Sequence, residues 1–382
     1  MKRFLLILII ITAAPAAFSQ KPEQIYSFAR TRKPLSYYKE QAVLWKNEVD
    51  KEPKNANAWY NYYRVNRNLL FNDTTDERPY DERRKSVGML LDDMEKSIRG
   101  TYEYHYCRLA HEGLGKDYTK HLEKTIELGE GRTEHLDYVA IWGELERNME
   151  RRHEYSRKLF DAGLISAGMM YYNYNVIGGL KQNAILLTEG DNDTYPLWVL
   201  QGQGTRRDVT VINLSLLGIE DYRDKIFKEL GVGKWETDTD ESKNAAQFRT
   251  EIVKHIAANQ KKYPVYVGLT VNPGYSEGIK ENLYLTGLAL EYNNQSIDNI
   301  ALLKRNFEQV YALDYIDKPF YHDISPDMVS HINCNYIVPM LKLFDHYKTA
   351  GDTQEMEWIK SKLLVVAKEG NKEQEVKKHI GL

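Results

Sequence analysis

Cysteine is almost missing from this sequence: 382 residues hold two, Cys107 and Cys334. So small a count excludes a fold built on a disulfide framework. Whether the two pair depends on a Cα separation below about 7 Å, which sequence alone leaves open. Charge of one sign is missing too, with 52 Lys and Arg against 55 Asp and Glu and a formal net charge of −3. That balance supplies no field to gather nucleic acid or an acidic bilayer, so nucleic acid is excluded as a partner class. Beyond residue 19 no apolar run approaches the roughly 20 residues that span a bilayer, and the mature chain is not expected to be integral to a membrane. Catalytic signatures are lacking as well: there is no nucleotide loop, no H-E-x-x-H, no G-x-S-x-G and no kinase set.

What is present begins with a leader. Lys2 and Arg3 precede the apolar run Phe4 to Ile11 and the small-residue stretch Thr12 to Ala17. This order is that of a secretory signal. Ala17 and Ser19 stand three and one residues before the bond to Gln20, so cleavage is expected after Ser19. The chain then works outside the cytoplasm, in the periplasm, the outer envelope or the extracellular space. No cysteine follows the cleavage site, which sets aside a lipid anchor there.

Two periodicities divide the rest. Through residues 20–180 apolar and aromatic residues recur at three and four spacing, as in Leu90, Leu91, Met94 and Ile98, the mark of amphipathic helices. Breaks at Pro53, Gly100, Gly129 and Gly163 cut them into hairpins. Pro53 followed by Trp59 has the interval of a tetratricopeptide repeat boundary, although the rest of that consensus is absent. Trp45, Trp59 and Trp142 are the interface candidates of a hairpin surface; burial between helices is the competing use of each. Tyrosine is abundant at 28 copies, which suits either half-buried helix faces or stacking on carbohydrate. His105, Cys107 and His111 suggest a metal, but only Cys107 and His111 share a helical face, short of a four-ligand structural site.

From Lys181 the period changes. Residues 183–188, 208–214 and 264–271 are short β-branched runs separated by helical segments, and Leu283 to Leu290 reads as a fourth strand. The fold class is therefore mixed α and α/β. A helical, repeat-like region over 20–180 leads into a small three-layer α/β domain with a mostly parallel sheet over 181–327. A helical hairpin over 328–382 turns at Gly351 and Asp352.

The loop Glu189-Gly190-Asp191-Asn192-Asp193-Thr194-Tyr195-Pro196 follows the first strand, where open α/β sheets bind ligands. Glu189, Asp191, Asn192, Asp193 and Thr194, with Asn213, Ser215, Thr270 and Asn272 from neighbouring strand ends, are the ligand-binding candidates. Asp191 and Asp193 are candidate ligands for a divalent cation. The competing reading makes Asp193 or Thr194 the N-cap of a helix with Pro196 in its first turn. No catalytic residue is assigned and no organic cofactor is implied.

The run from Ala184 to Leu217, with G-D-N-D-T-Y-P-L-W followed by R-D-V-T-V-I-N-L-S-L-L, resembles the soluble extracytoplasmic region of protein O-mannosyltransferase-like membrane glycosyltransferases. In that family sugar transfer is attributed to a multi-helix membrane part, which this chain lacks. The resemblance therefore implies a related accessory domain and no transferase activity. The resulting expectation is an exported envelope protein, non-catalytic, that binds a protein partner or a glycan. The alternative is a metal-dependent enzyme acting on envelope carbohydrate through Asp191 and Asp193.

Overall fold

The computed structural model describes residues 21–113, 118–237, 239 and 244–382. The expected leader and its cleavage site lie outside the described residues. The chain forms two compact units: residues 33–99 with the segment 21–26, and residues 100–382 with the segment 27–32.

The smaller unit holds helices α1 (Leu35–Lys51), α2 (Ala56–Asn72) and α3 (Tyr80–Ile98). Val87, Leu91, Met94 and Ile98 are the buried residues of α3, at the expected three and four spacing. Asn55 caps α2 by accepting from the Ala58 amide at 3.0 Å, and the Trp59 indole donates to the Pro53 carbonyl at 2.9 Å. The proline and the tryptophan of the repeat-like signature are thus joined directly. Trp45 is 8% exposed and Trp59 7%. Trp45 donates to the Glu23 carbonyl at 2.8 Å, and both rings are packed inward among the helices of this unit. The segment 21–26 is zipped onto these helices by amides, with Ile25 N–H donating to Asn61 at 2.9 Å and Asn68 donating to the Tyr26 carbonyl at 3.0 Å.

The larger unit opens with α4 (Tyr102–Glu112), α5 (Tyr118–Leu128), α6 (Leu136–Leu145), α7 (Met149–Asp161) and α8 (Ala167–Gly178). Next come β1 (Ile185–Thr188), α9 (Tyr195–Gly202), β2 (Thr210–Asn213), α10 (Glu220–Leu230), α11 (Ala245–Asn259) and β3 (Val265–Gly268). A 3-10 segment (Pro273–Asn282) leads to β4 (Leu283–Leu285) and β5 (Ala289–Tyr292). The chain ends with α12 (Asn299–Arg305), α13 (Asp314–Asp317), α14 (Pro326–Asn333), α15 (Ile337–Ala350), α16 (Thr353–Glu369) and α17 (Glu373–Ile380).

The strands lie in the order β2-β1-β3-β5-β4. The β2, β1 and β3 core is parallel, whereas β5 runs antiparallel to both β3 and β4. The sheet is therefore mixed, with a parallel three-stranded core and an antiparallel edge. What reads in sequence as one strand over Leu283 to Leu290 is a hairpin instead. Gly287 allows the turn: a Cβ there would sit 2.0 Å from the Tyr311 hydroxyl, which accepts the Leu288 amide at 3.0 Å. All four residues of both β1 and β3 are buried, so both faces of the sheet are covered.

The change of period at Lys181 marks a change of secondary structure and not a break in packing. Ile141 of α6, Leu186 of β1, Trp198 of α9 and Leu363 of α16 share one apolar core. Trp142, half-buried on α6, lies under the Arg151 guanidinium at 3.8 Å, a cation–π contact. Cys107 is buried in α4 and Cys334 half-buried after α14, both as thiols.

The larger unit also holds a buried ionic network. Glu144 is fully buried and accepts from Arg147, from Arg152 at 2.5 Å and from the Tyr222 hydroxyl at 2.7 Å. Arg152 continues to Gln201 at 2.9 Å, and Gln201 donates to the Val209 carbonyl at 2.6 Å. Four helices and the approach to β2 are thereby cross-linked. Gly143 lets α7 come close enough, since a Cβ there would meet the Arg152 backbone nitrogen at 2.6 Å. Beside the network, burial and the charges of Arg152, Arg207 and Arg157 push the His153 imidazole down to about 4 from 6.5. A depressed native value means the neutral ring contributes stability above the unfolded value that is lost as pH falls through the native one. His153→Gln is expected to flatten the loss of stability between about pH 6.5 and 4, read as urea midpoints against those of the parent.

Candidate functional site

The site is assembled where β1, β2 and β3 end. In the order β2-β1-β3, the connection from β1 passes through α9 to β2 on one side, while β3 leads away toward β5 on the other. The gap between the carboxyl ends of β1 and β3 is therefore a topological switch point.

Asp193 closes the loop that leaves β1. One carboxylate oxygen accepts from the Gly190 amide at 2.7 Å; the other accepts from the Glu189 amide at 3.1 Å and the Thr270 hydroxyl at 2.5 Å. The residue is 5% exposed. Burial raises its carboxyl above the ordinary aspartate value, outweighing the hydrogen bonds that favour the charged form. Both strands of the switch point are tied by this one side chain, since Thr270 follows β3.

The N-cap expected of Asp193 or Thr194 is not formed. Asp193 turns back to the amides of the loop. Thr194, fully buried, precedes α9 without capping it through its side chain. Its hydroxyl instead meets Thr188 at 2.8 Å and the Asn213 amide at 3.0 Å, joining β1 to β2. Asn213 also accepts from the Ser215 amide at 2.8 Å. Asn192 is held by the larger unit's own N-terminal segment, donating to the Ala29 carbonyl at 3.2 Å and receiving Asn173 at 2.8 Å on its carbonyl.

Asp191 is exposed, and its carbonyl accepts the Tyr195 amide at 3.0 Å. Its side chain bonds the Tyr195 hydroxyl, whose titration is raised first by burial and then by the Asp191 charge. Asp191 and Asp193 thus engage different partners. Among the described residues, no three His, Cys, Asp or Glu side chains converge as a metal would require; this holds for the loop and for His105, Cys107 and His111.

Glu189 is different, because its side chain stays at the surface of the switch point. One oxygen accepts the Asn272 amide at 2.7 Å; the other pairs with Arg249 at 3.3 Å. Arg249 also donates to the Ser215 hydroxyl at 3.1 Å and approaches the Tyr275 hydroxyl at 3.5 Å. The side chains of Arg249 and Glu189 are 18% and 24% exposed, so the ion pair contributes only about 1 kcal/mol. The structure brings the candidates Glu189, Ser215, Thr270 and Asn272 together at the ends of β1, β2 and β3, and sets Arg249 and Tyr275 beside them. Sequence reading did not single out Arg249 and Tyr275, because a lone arginine on α11 and a tyrosine in a 3-10 segment carry no spacing signal that links them to β1.

Seven of the nine candidates therefore separate by depth, with Asp191 and Asn192 in the loop between. Asp193, Thr194, Asn213 and Thr270 form an inner clamp whose polar atoms serve one another. Glu189, Ser215 and Asn272, with Arg249 and Tyr275, form a partly exposed rim of acceptors, donors and one aromatic ring.

A family model described as TMEM260-associated domain 2 matches residues 169–231. The match runs from α8 through α10, so it includes the loop, Asp193, Thr194 and Asn213 of the clamp, and Glu189 and Ser215 of the rim, while Thr270, Asn272, Arg249 and Tyr275 lie outside it. The stretch that resembles O-mannosyltransferase-like proteins, Ala184 to Leu217, falls inside it. Neither curated proteins nor solved structures give a match.

Proposed function

We propose that this chain is an exported envelope protein that binds a glycan or a glycosylated partner without transforming it, as an accessory domain related to the soluble part of O-mannosyltransferase-like proteins. The observation that carries the reading is the rim at the switch point. A carboxylate, a guanidinium, a hydroxyl, a backbone amide and an aromatic ring gathered at the strand ends are the groups that recognise sugar hydroxyls and the apolar face of a pyranose. The clamp beneath supports binding over chemistry. Both Asp193 oxygens are committed to holding the loop, which removes that carboxylate from acid–base work and from a shared cation with Asp191. Export is supported by the charge, apolar and small-residue order of residues 2–19.

Ser215→Trp tests the reading. Its indole covers the rim without touching the clamp. The parent chain is expected to retain a subset of sugars on an immobilised glycan array, and the variant to lose that signal at least tenfold with an unchanged far-ultraviolet circular dichroism spectrum. Retention of every signal by the variant would place binding elsewhere, and an array with no signal for the parent would refute glycan binding.

A further inference from the structure

We infer that the Glu189 carboxylate is an internal stand-in for a ligand's own carboxylate, and that the rim takes an acidic sugar such as a hexuronic acid. The inference rests on the glycan-binding reading above and names its ligand class. The surroundings of Glu189 are those of a carboxylate receptor. A backbone amide from Asn272 meets one oxygen at 2.7 Å, and the Arg249 guanidinium meets the other at 3.3 Å. The remaining edge of the guanidinium reaches the exposed Ser215 hydroxyl, and the Tyr275 ring lies beside it, 5.7 Å from the guanidinium carbon. A planar guanidinium beside a backbone amide matches a carboxylate in both charge and shape.

The occupant is free to leave because the loop does not depend on its side chain. The Glu189 and Gly190 amides are held by Asp193, which is anchored across the switch point by Thr270. Rotation of the Glu189 side chain into solvent breaks the contacts to Asn272 and Arg249 and leaves the backbone in place. An incoming carboxylate then takes up the same donors, while Ser215 and Tyr275 meet the rest of the sugar ring. Glu189 thereby sets a threshold: neutral sugars bind beside it, and an acidic sugar must displace it.

The test is thermal unfolding of the full chain with D-glucuronate, D-glucose or inorganic phosphate, for the parent, Glu189→Gln, and Glu189→Gln with Arg249→Gln. Ligand binding to the native state alone raises the midpoint according to concentration over dissociation constant. Removing the internal charge is expected to tighten glucuronate binding at least tenfold, glucose is expected to change little, and loss of Arg249 is expected to abolish the gain. Glu189→Ala, which removes the carboxylate altogether, is expected to move the same way and covers the case in which the glutamine variant folds poorly. An equal glucuronate response in parent and variants would overturn the inference, as would a gain that survives loss of Arg249 or a larger shift with phosphate. Array signals that Ser215→Trp abolishes, but that do not shift toward glucuronate in Glu189→Gln, would overturn the stand-in alone and leave the glycan-binding reading intact.

Discussion

Asp193→Ala lowers the thermal unfolding midpoint of the chain by about 5–10 °C, the expected result of losing about 2–4 kcal/mol in a unit of this size. Truncation leaves three donors, the amides of Glu189 and Gly190 and the Thr270 hydroxyl, without their acceptor at a site that is 5% exposed. Unsatisfied buried donors forfeit their hydration with nothing in return. Calorimetry of the two proteins measures the difference, and a shift under about 2 °C would show that the loop keeps its shape without the clamp. The pH dependence gives a second reading. Burial raises the native titration of Asp193, so the native state holds this proton more tightly than the unfolded chain does. The stability it contributes is then complete below the ordinary aspartate value and is lost as pH rises through the native one. The margin of the parent over Asp193→Asn is expected to shrink across that rise.

Glu144→Ala has the larger expected effect, about 3–5 kcal/mol, because it strands a buried arginine. Arg152 is 5% exposed and would keep only Gln201 and the edge of His153. Tyr222 would lose its acceptor as well. Arg147→Ala is expected to cost less, since Arg147 also pairs with Glu229 at 2.8 Å on the exposed side. Urea denaturation followed by tryptophan fluorescence compares the two, with Trp198 in the same neighbourhood at 5.6 Å from Arg152. Equal costs would mean that the network is held by its rim and not by its centre.

The parts of this fold that sequence reveals are those governed by local pattern. The strands at residues 185–188 and 210–213 appear because β-branched runs are bounded by turn residues. Asp352 and Gly351 mark the α15–α16 turn because an N-cap and a left-handed glycine are required there. The β4–β5 hairpin is hidden because its break depends on Tyr311, which lies outside the local window. In the same way, Asp193 looks like a helix cap in sequence because cap and loop clamp use the same short carboxylate. Only the position of the Thr270 hydroxyl and of the loop amides separates them. Arg249 is invisible for a simpler reason: its partner Glu189 lies 60 residues away.

The segment 27–32 gives the larger unit a history in time. It leaves the ribosome before any of α1 to α3, yet it belongs with residues 100–382. The Ala29 carbonyl waits for an amide 163 positions later in the chain, on Asn192. Late-arriving partners of this kind slow assembly, since loop closure comes before the contact that rewards it. A gene fragment beginning at residue 100 would omit an acceptor that the loop after β1 uses, so neither a single proteolytic cut nor a single recombination event can deliver the larger unit whole.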